Sequence, residues 1–200
     1  MAISVILAHP DRYGFNHAIA VAAIEELKRN GHAAFFHDLY EEGFDPVLPS
    51  GEIPKGAPLP AHLEAHCREI ASAEGIIVIH PNWWGMPPAV MKGWIDRVLR
   101  PETAYRFVEG DKGEGVPIGL LKAKAAVVFN TSNTSPEREA GVFKDPLDTL
   151  WKNCIFGVCG VKKVHRETFG IVVTSTEGKR LKWLERVQTV VNKYFPPDRK

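Results

Sequence analysis

Five short, mostly apolar runs, each trailed by a stretch with helical spacing, constrain this chain more than any other feature. They lie at residues 2–8, 32–39, 75–80, 123–129 and 163–173. Gly75-Ile76-Ile77-Val78-Ile79 has no polar side chain at any position, which marks a strand buried on both faces. Between the runs, Ala18, Ile19, Ala22, Ala23 and Leu27 recur at helical intervals over residues 15–30, and Asn30-Gly31 closes that helix. Helices are also predicted over 60–73, from Pro88 to Leu99 with Pro87 and Pro88 in its first turn, over 143–158 and over 177–194. Residues 40–60, crowded with proline and glycine, and residues 101–121 read as loop excursions. Repeated strand–helix alternation predicts an α/β fold, a parallel five-stranded sheet with helices on both faces.

Two hundred residues of 44% hydrophobic content suffice for one core, so residues 1–200 are expected to form a single domain. With five strands, the expected order is 2-1-3-4-5, a flavodoxin-like three-layer sandwich. That order gathers the loops after the first, third and fourth strands at one switch point. The 25 basic and 24 acidic residues are spread along the chain, so nucleic acid and anionic membrane are excluded as main partners. No run reaches the roughly 18 apolar residues of a membrane span, so no membrane insertion is expected. Met1 to Ala8 lacks a basic leader and reads as a buried strand. Cys67, Cys154 and Cys159 show no CxxC spacing, and the last two read as buried small hydrophobes; a reduced, cytoplasmic protein is expected.

Three loops carry the candidate chemistry. After the first strand, His9-Pro10-Asp11-Arg12-Tyr13-Gly14-Phe15-Asn16 opens a helix, whose free amides and dipole suit a phosphate. The plainer reading is an ordinary turn capped by Asn16 or Asp11. Neither GxxxxGK[ST] nor GxGxxG is present. After the third strand comes Pro81-Asn82-Trp83-Trp84-Gly85-Met86-Pro87-Pro88, a stiff aromatic platform for a planar ring; as bland alternatives, its tryptophans would pack in the core or at a dimer interface. After the fourth strand, Asn130-Thr131-Ser132-Asn133-Thr134-Ser135 offers small polar groups to a ring edge, or is simply solvated. Together these loops meet the needs of a flavin nucleotide.

The chain resembles the flavodoxin-like NAD(P)H:quinone oxidoreductases, the family of DT-diaphorase and its compact bacterial relatives. The resemblance rests on Leu7-Ala8-His9-Pro10 with Phe15-Asn16, on Asp38-Leu39-Tyr40 with Phe44-Asp45-Pro46, and on Pro81 through Leu99 leading to Ala104-Tyr105. It implies that His9, Tyr13, Gly14, Phe15 and Asn16 hold the flavin phosphates. It implies further that Pro81, Asn82, Trp83, Trp84 and Gly85, with Thr131, Ser132, Asn133 and Thr134, hold the isoalloxazine. The implied reaction passes a hydride from NAD(P)H through the flavin to a quinone or similar two-electron acceptor. Both FAD and FMN occur in the family, and the His9–Asn16 turn is closer to its FAD-binding members. The family's Tyr and His beside the ring have no match before Trp151, so no side-chain acid is expected there. The resemblance also implies a homodimer, with Trp94 and Tyr105 either at its interface or in the core.

Other readings are weaker. His62, His66 and Cys67 share a helical face but form one pair among eight scattered histidines, so no metal is expected. There is no GxSxG elbow for a hydrolase. The alternatives are a flavin-binding regulatory or ancillary subunit with little turnover, and an electron-transfer flavodoxin, whose acidic surface this chain lacks.

Overall fold

Strands form where the apolar runs lie: β1 (Ala2–Leu7), β2 (Ala33–Asp38), β3 (Gly75–Pro81), β4 (Tyr105–Arg106), β5 (Ile118–Gly119), β6 (Ala126–Ser132) and β7 (Val164–Gly170). The computed structural model describes residues 1–108, 115 and 117–197. Five of these strands make one parallel sheet in the order β2-β1-β3-β6-β7, which is the expected 2-1-3-4-5 once the short antiparallel pair β4–β5 is set aside. That pair replaces part of the loop expected over 101–121; the rest of that stretch includes 109–114 and 116, outside the described residues.

Strand residues alternate between two cores, as the pleat requires. Ile3, Val5 and Leu7, with Ile77, Ile79, Val127 and Phe129, face α1 (Phe15–Arg29) and α6 (Glu177–Tyr194) through Ile19, Ala23, Leu27, Val187 and Val191. Ile6, Ile76, Val78 and Val128 face α2 (Ala61–Ser72), α3 (Ala89–Val98) and the segment 146–157. Each large aliphatic side chain buried this way contributes about 1.5–3 kcal/mol. These layers form the three-layer sandwich.

Two expectations are corrected in the second layer. The helix expected over 143–158 is broken: α4 (Pro136–Gly141) precedes it, α5 (Pro146–Thr149) begins at a proline, and Leu150–Gly157 is a π-helix. Pro146 cannot continue a helix from before it, because it disfavours helical geometry at Asp145 and brings no N–H. Asp145 is indeed left-handed, with φ of 47°. Cys154 is exposed, unlike buried Cys159. Trp94 belongs to the core, 2% exposed, which removes it from any dimer surface, and half-buried Tyr105 packs against the same core.

The excursion 40–60 is tied down by charge. Arg97, on α3, makes a bidentate pair with Glu52 at 3.0 and 2.6 Å and donates to the Asp45 carbonyl at 2.6 Å. A Cβ at Gly93 would stand 2.2 Å from the Pro46 backbone, so only glycine lets the helix approach. Beside it, Trp94 Nε1 donates to His66 Nδ1 at 3.1 Å, which fixes the neutral tautomer with the proton on Nε2, facing Glu42 at 3.2 Å. His66 therefore has no lone pair left for an ion, although His37, Glu42 and His66 offer ligand atoms within 4.8 Å of one another.

His37 stacks on His66 and meets carboxylates at both nitrogens, Glu42 and Glu69, each at 2.8 Å. Both nitrogens must donate, so the ring is a cation. Burial opposes that charge, but the two carboxylates outweigh it and raise the His37 pKa. Its stabilisation is complete below the unfolded value of about 6.5 and is lost as pH rises through the higher folded value. Burial works against the Glu42 carboxylate too, yet His37 and His66 hold its pKa down to about 2, so its share fades as pH falls from 4.5 toward that value. His37→Gln should lower the melting temperature most between about pH 4.5 and 6.5, with a smaller deficit near pH 9. Thermal unfolding across that range checks this; a deficit independent of pH would contradict it.

Candidate functional site

The chain leaves β1 toward β2 and then returns to β3 on the other side, so the loops after β1 and β3 diverge. A crevice opens at that switch point. Its foundation is His80, fully buried in β3. Its Nε2 accepts from Trp151 Nε1 at 3.0 Å and Asn130 Nδ2 at 2.8 Å, and its Nδ1 donates to the Pro81 carbonyl at 2.8 Å. Burial drives its pKa down to about 4, so the ring is neutral and suits these bonds. Thus β3, β6 and the π-helix meet beneath the crevice.

The loop after β1 is a tight turn. His9 Nδ1 lies 3.1 Å from the Asp11 amide, and Asp11 Oδ1 accepts from Tyr13 N at 2.9 Å. Gly14 is the N-cap residue of α1; a Cβ there would meet His9 at 2.9 Å. Neither Asp11 nor Asn16 caps the helix. Asn16 instead is 3% exposed and donates to Thr131 Oγ1 at 3.0 Å, tying this turn to β6. The amides of Phe15 and Asn16 bond to no other described residue, as befits a helix start.

The loop after β3 is a two-residue hairpin turn. Trp83 and Met86 exchange backbone hydrogen bonds at 3.0 Å, and both central residues have positive φ, 58° at Trp84 and 74° at Gly85. This is the mirror-image type I turn, which normally takes Asn-Gly. A tryptophan there costs about 1–2 kcal/mol in backbone strain. The turn carries the Trp84 side chain wholly into solvent, 102% exposed, while Trp83 leans toward His9. Asn82 Oδ1 accepts from Gly85 N at 3.0 Å and holds the turn's base.

The third element corrects the sequence reading. Asn130, Thr131 and Ser132 are not loop but the buried end of β6; the loop begins at Asn133. Thr131 pairs in register with Pro81, and its carbonyl accepts from Asn82 N at 2.7 Å. Asn133 Oδ1 accepts from Val173 N at 3.0 Å.

These elements enclose a polar cleft of about 340 Å³ lined by His9, Phe15, Asn16, Pro81, Asn82, Trp83, Thr131, Ser132, Asn133 and Thr134, with Val172 and Val173. A second cleft of about 540 Å³ shares Asn82 and Thr134 with it and adds Trp84, Gly85, Glu139, Phe143 and Pro146. Tyr13 and Gly14 line a third, about 530 Å³, which shares Phe15 and Val172 with the first and is walled by Glu177, Arg180, Leu181 and Leu184. All fourteen expected residues thus border one run of three adjoining clefts.

Glu139, Phe143, Pro146, Val172 and the α6 residues went unread in the sequence. Glu139 overturns the expectation that no side-chain acid stands beside the aromatic loop. Ser135-Pro136, a helix-start pair whose Ser135 Oγ accepts from Arg138 N at 3.3 Å, was the available signal.

A doubly wound parallel sheet in this strand order, with a crevice at its switch point, is the architecture of a flavodoxin-like protein. The family model for the flavodoxin-like fold matches residues 1–190. A Haemophilus influenzae protein named as an uncharacterized NAD(P)H oxidoreductase is 35% identical over 171 residues, covering 83% of this chain and 82% of that protein. The NAD(P)H:quinone oxidoreductase of Methanothermobacter marburgensis superposes with a TM-score of 0.80 at 27% identity, covering 96% of each chain. An FMN-dependent NADH-azoreductase of Bacillus anthracis, solved with FMN, shares the fold with a TM-score of 0.76 over 96% of this chain and 99% of its own, at 14% identity. The chain belongs to the flavodoxin-like family and, within it, groups with the NAD(P)H oxidoreductases.

The link from α1 to β6 is a test of this assembly. Asn16→Ala and Thr131→Val should each destabilise the fold by about 1–2 kcal/mol, with a coupling of about 1 kcal/mol between them. Urea unfolding of the double-mutant cycle measures it; additive effects would show the bond contributes nothing.

Proposed function

We propose that the protein is a flavin-dependent NAD(P)H oxidoreductase that reduces a quinone or similar two-electron acceptor. The observation that carries this is the convergence of three strand ends on one cleft with free helix amides at one side and an aromatic turn at the other. The residues fit a flavin nucleotide: the Phe15 and Asn16 amides at the helix start suit a phosphate, and glycine at 14 and 85 lets the two turns close against His9 and Pro146. When bound, the flavin supplies the two-electron relay between NAD(P)H and the acceptor. The chain holds and orients it. Trp83, Asn82 and Pro81 would edge the ring, Asn133 and Thr134 would bond its polar rim, and Trp84, Gly85, Phe143 and Pro146 would wall the space where donor and acceptor bind in turn.

The flavin we propose is FAD. The third cleft adjoins the phosphate-type turn and offers Tyr13, Arg180, Leu181 and Leu184 to an adenosine half. FMN would leave that cleft without use. A homodimer is also proposed, since Trp84 and Phe143, which line the second cleft, and their chain neighbours Met86 and Val142 are exposed apolar side chains. The position of the protein is proposed to be cytoplasmic; no described helix is long and apolar enough to cross a membrane.

Purified protein should be yellow, bleach with NADPH or NADH, and recover colour with menadione; a colourless preparation that takes up neither FAD nor FMN refutes the proposal. Gly85→Val should reduce flavin affinity at least about tenfold, because the residue has positive φ and its Cβ would meet Pro146 at 2.8 Å. Fluorescence titration of the apoprotein reads this, and unchanged affinity would remove the turn from the site. Heat-released cofactor should run as FAD on chromatography, and Leu184→Glu should weaken FAD binding but not FMN binding. Release of FMN alone would overturn the FAD assignment.

A further inference from the structure

Reducing a quinone by two electrons requires one hydride and one proton, and the cleft must obtain the proton from somewhere. One carboxyl group is built into its wall. Glu139 is 8% exposed, on the inward face of α4, and lines the second cleft between Thr134 and the apolar surfaces of Phe143 and Pro146. Its Oε1 accepts from Asn82 Nδ2 at 3.0 Å and from Ser132 Oγ at 3.3 Å, so the carboxyl plane is fixed by both ring-facing elements. Its Oε2 has no hydrogen bond to a described residue, and the side chain lines both the second cleft and a smaller one of about 220 Å³ that it shares with Asp145, Arg166 and Thr168. Neighbouring charges are already matched: Arg166 pairs with Asp145 and Asp148 rather than with Glu139. A buried carboxyl with one oxygen tethered and one open is the arrangement a proton donor needs.

We infer that Glu139 is the acid–base residue of the acceptor cleft. The inference rests on the oxidoreductase reading above. In the step assigned to it, the acceptor takes two electrons as a hydride that originates in NAD(P)H. The carboxyl O–H of Glu139 breaks and an O–H forms on a quinone oxygen, giving the hydroquinone. The carboxylate is then reprotonated by hydronium or buffer acid from solvent, the one proton the net reaction consumes, and NAD(P)⁺ is the oxidised product. The tethers on Oε1 keep Oε2 aimed at the acceptor throughout, and Asn82 links that aim to the turn carrying Trp84 and Gly85.

The test uses the flavin-loaded protein and Glu139→Gln, whose amide oxygen can still accept from Asn82 and Ser132. Enzyme reduced by NADPH is reoxidised in a stopped-flow instrument by menadione, which needs a proton, or by ferricyanide, which does not. In the variant, the ratio of the menadione rate to the ferricyanide rate should fall about 100-fold. Flavin affinity of the apo variant, read by fluorescence, should stay within about threefold of the parent, since the substitution keeps both tethers. The solvent deuterium effect on the menadione step should change with the substitution. Equal slowing with both acceptors would make Glu139 a structural tether and overturn the inference, as would an unchanged menadione rate. If the parent protein takes up no flavin or is not reduced by NADPH or NADH, the oxidoreductase reading fails and this one with it. If the parent turns over and only the ratio is unmoved, this inference alone fails.

Discussion

The end of the sheet where the crevice opens depends on one buried, uncharged imidazole. His80 accepts from Trp151 and Asn130 on one nitrogen and donates to its neighbour's carbonyl with the other. A charged ring could not accept, so the two donors would be left unpaired in the core; burial itself keeps the ring neutral and the bonds intact. Because the three partners lie on β3, β6 and the π-helix, this contact ties the ends of both strands to the helix beneath the crevice. The π-helix, whose wider ladder is uncommon and often found near functional sites, seats Trp151 at that point.

Above this base the structure changes character, from satisfied polar groups to strained and exposed ones. Asn16, Thr131, Ser132 and Asn82 spend their side chains on one another and on Glu139, which makes them rigid struts. The turn they support holds a tryptophan at positive φ with its indole wholly in solvent. Strain of that kind persists only where the surroundings over-determine it, and here Asn82 and Pro146 do so from two sides. Ordering the turn in advance would lower the entropy lost on binding the flavin ring proposed for this cleft.

What could be read from the sequence was whatever local periodicity encodes. The strand runs, the helix spacings and the three loops in their order led to the correct sheet order and to residues that border the clefts. The failures share a cause, which is pairing between distant positions. Asn130 to Ser132 are polar and so look like loop, yet Asn130 and Thr131 are satisfied by partners far away in sequence, Arg166 and Asn16, and Ser132 by Glu139 across the following turn, so the strand continues through them. The excursion 40–60 looks irregular because its order comes from Arg97, on a helix about forty residues later. Trp94 carried an interface reading for the same reason; its partner His66 is not a neighbour in the chain.

Glu139 shows how these long-range pairs decide chemistry as well as shape. A lone glutamate in a Ser-Pro-led polar stretch has the look of a solvated helix residue, and its neighbour Glu137 is one. Two residues further on, about 200° around α4, which starts at Pro136, Glu139 turns inward against the end of β6. The helix start fixes the phase, the phase buries the carboxyl, and burial would be costly without the donors of Asn82 and Ser132. Those same donors occupy only one oxygen. The other carries no bond to a described residue, so a requirement of folding, satisfying a buried acid, leaves an oriented carboxyl in the wall of the cleft proposed for the acceptor.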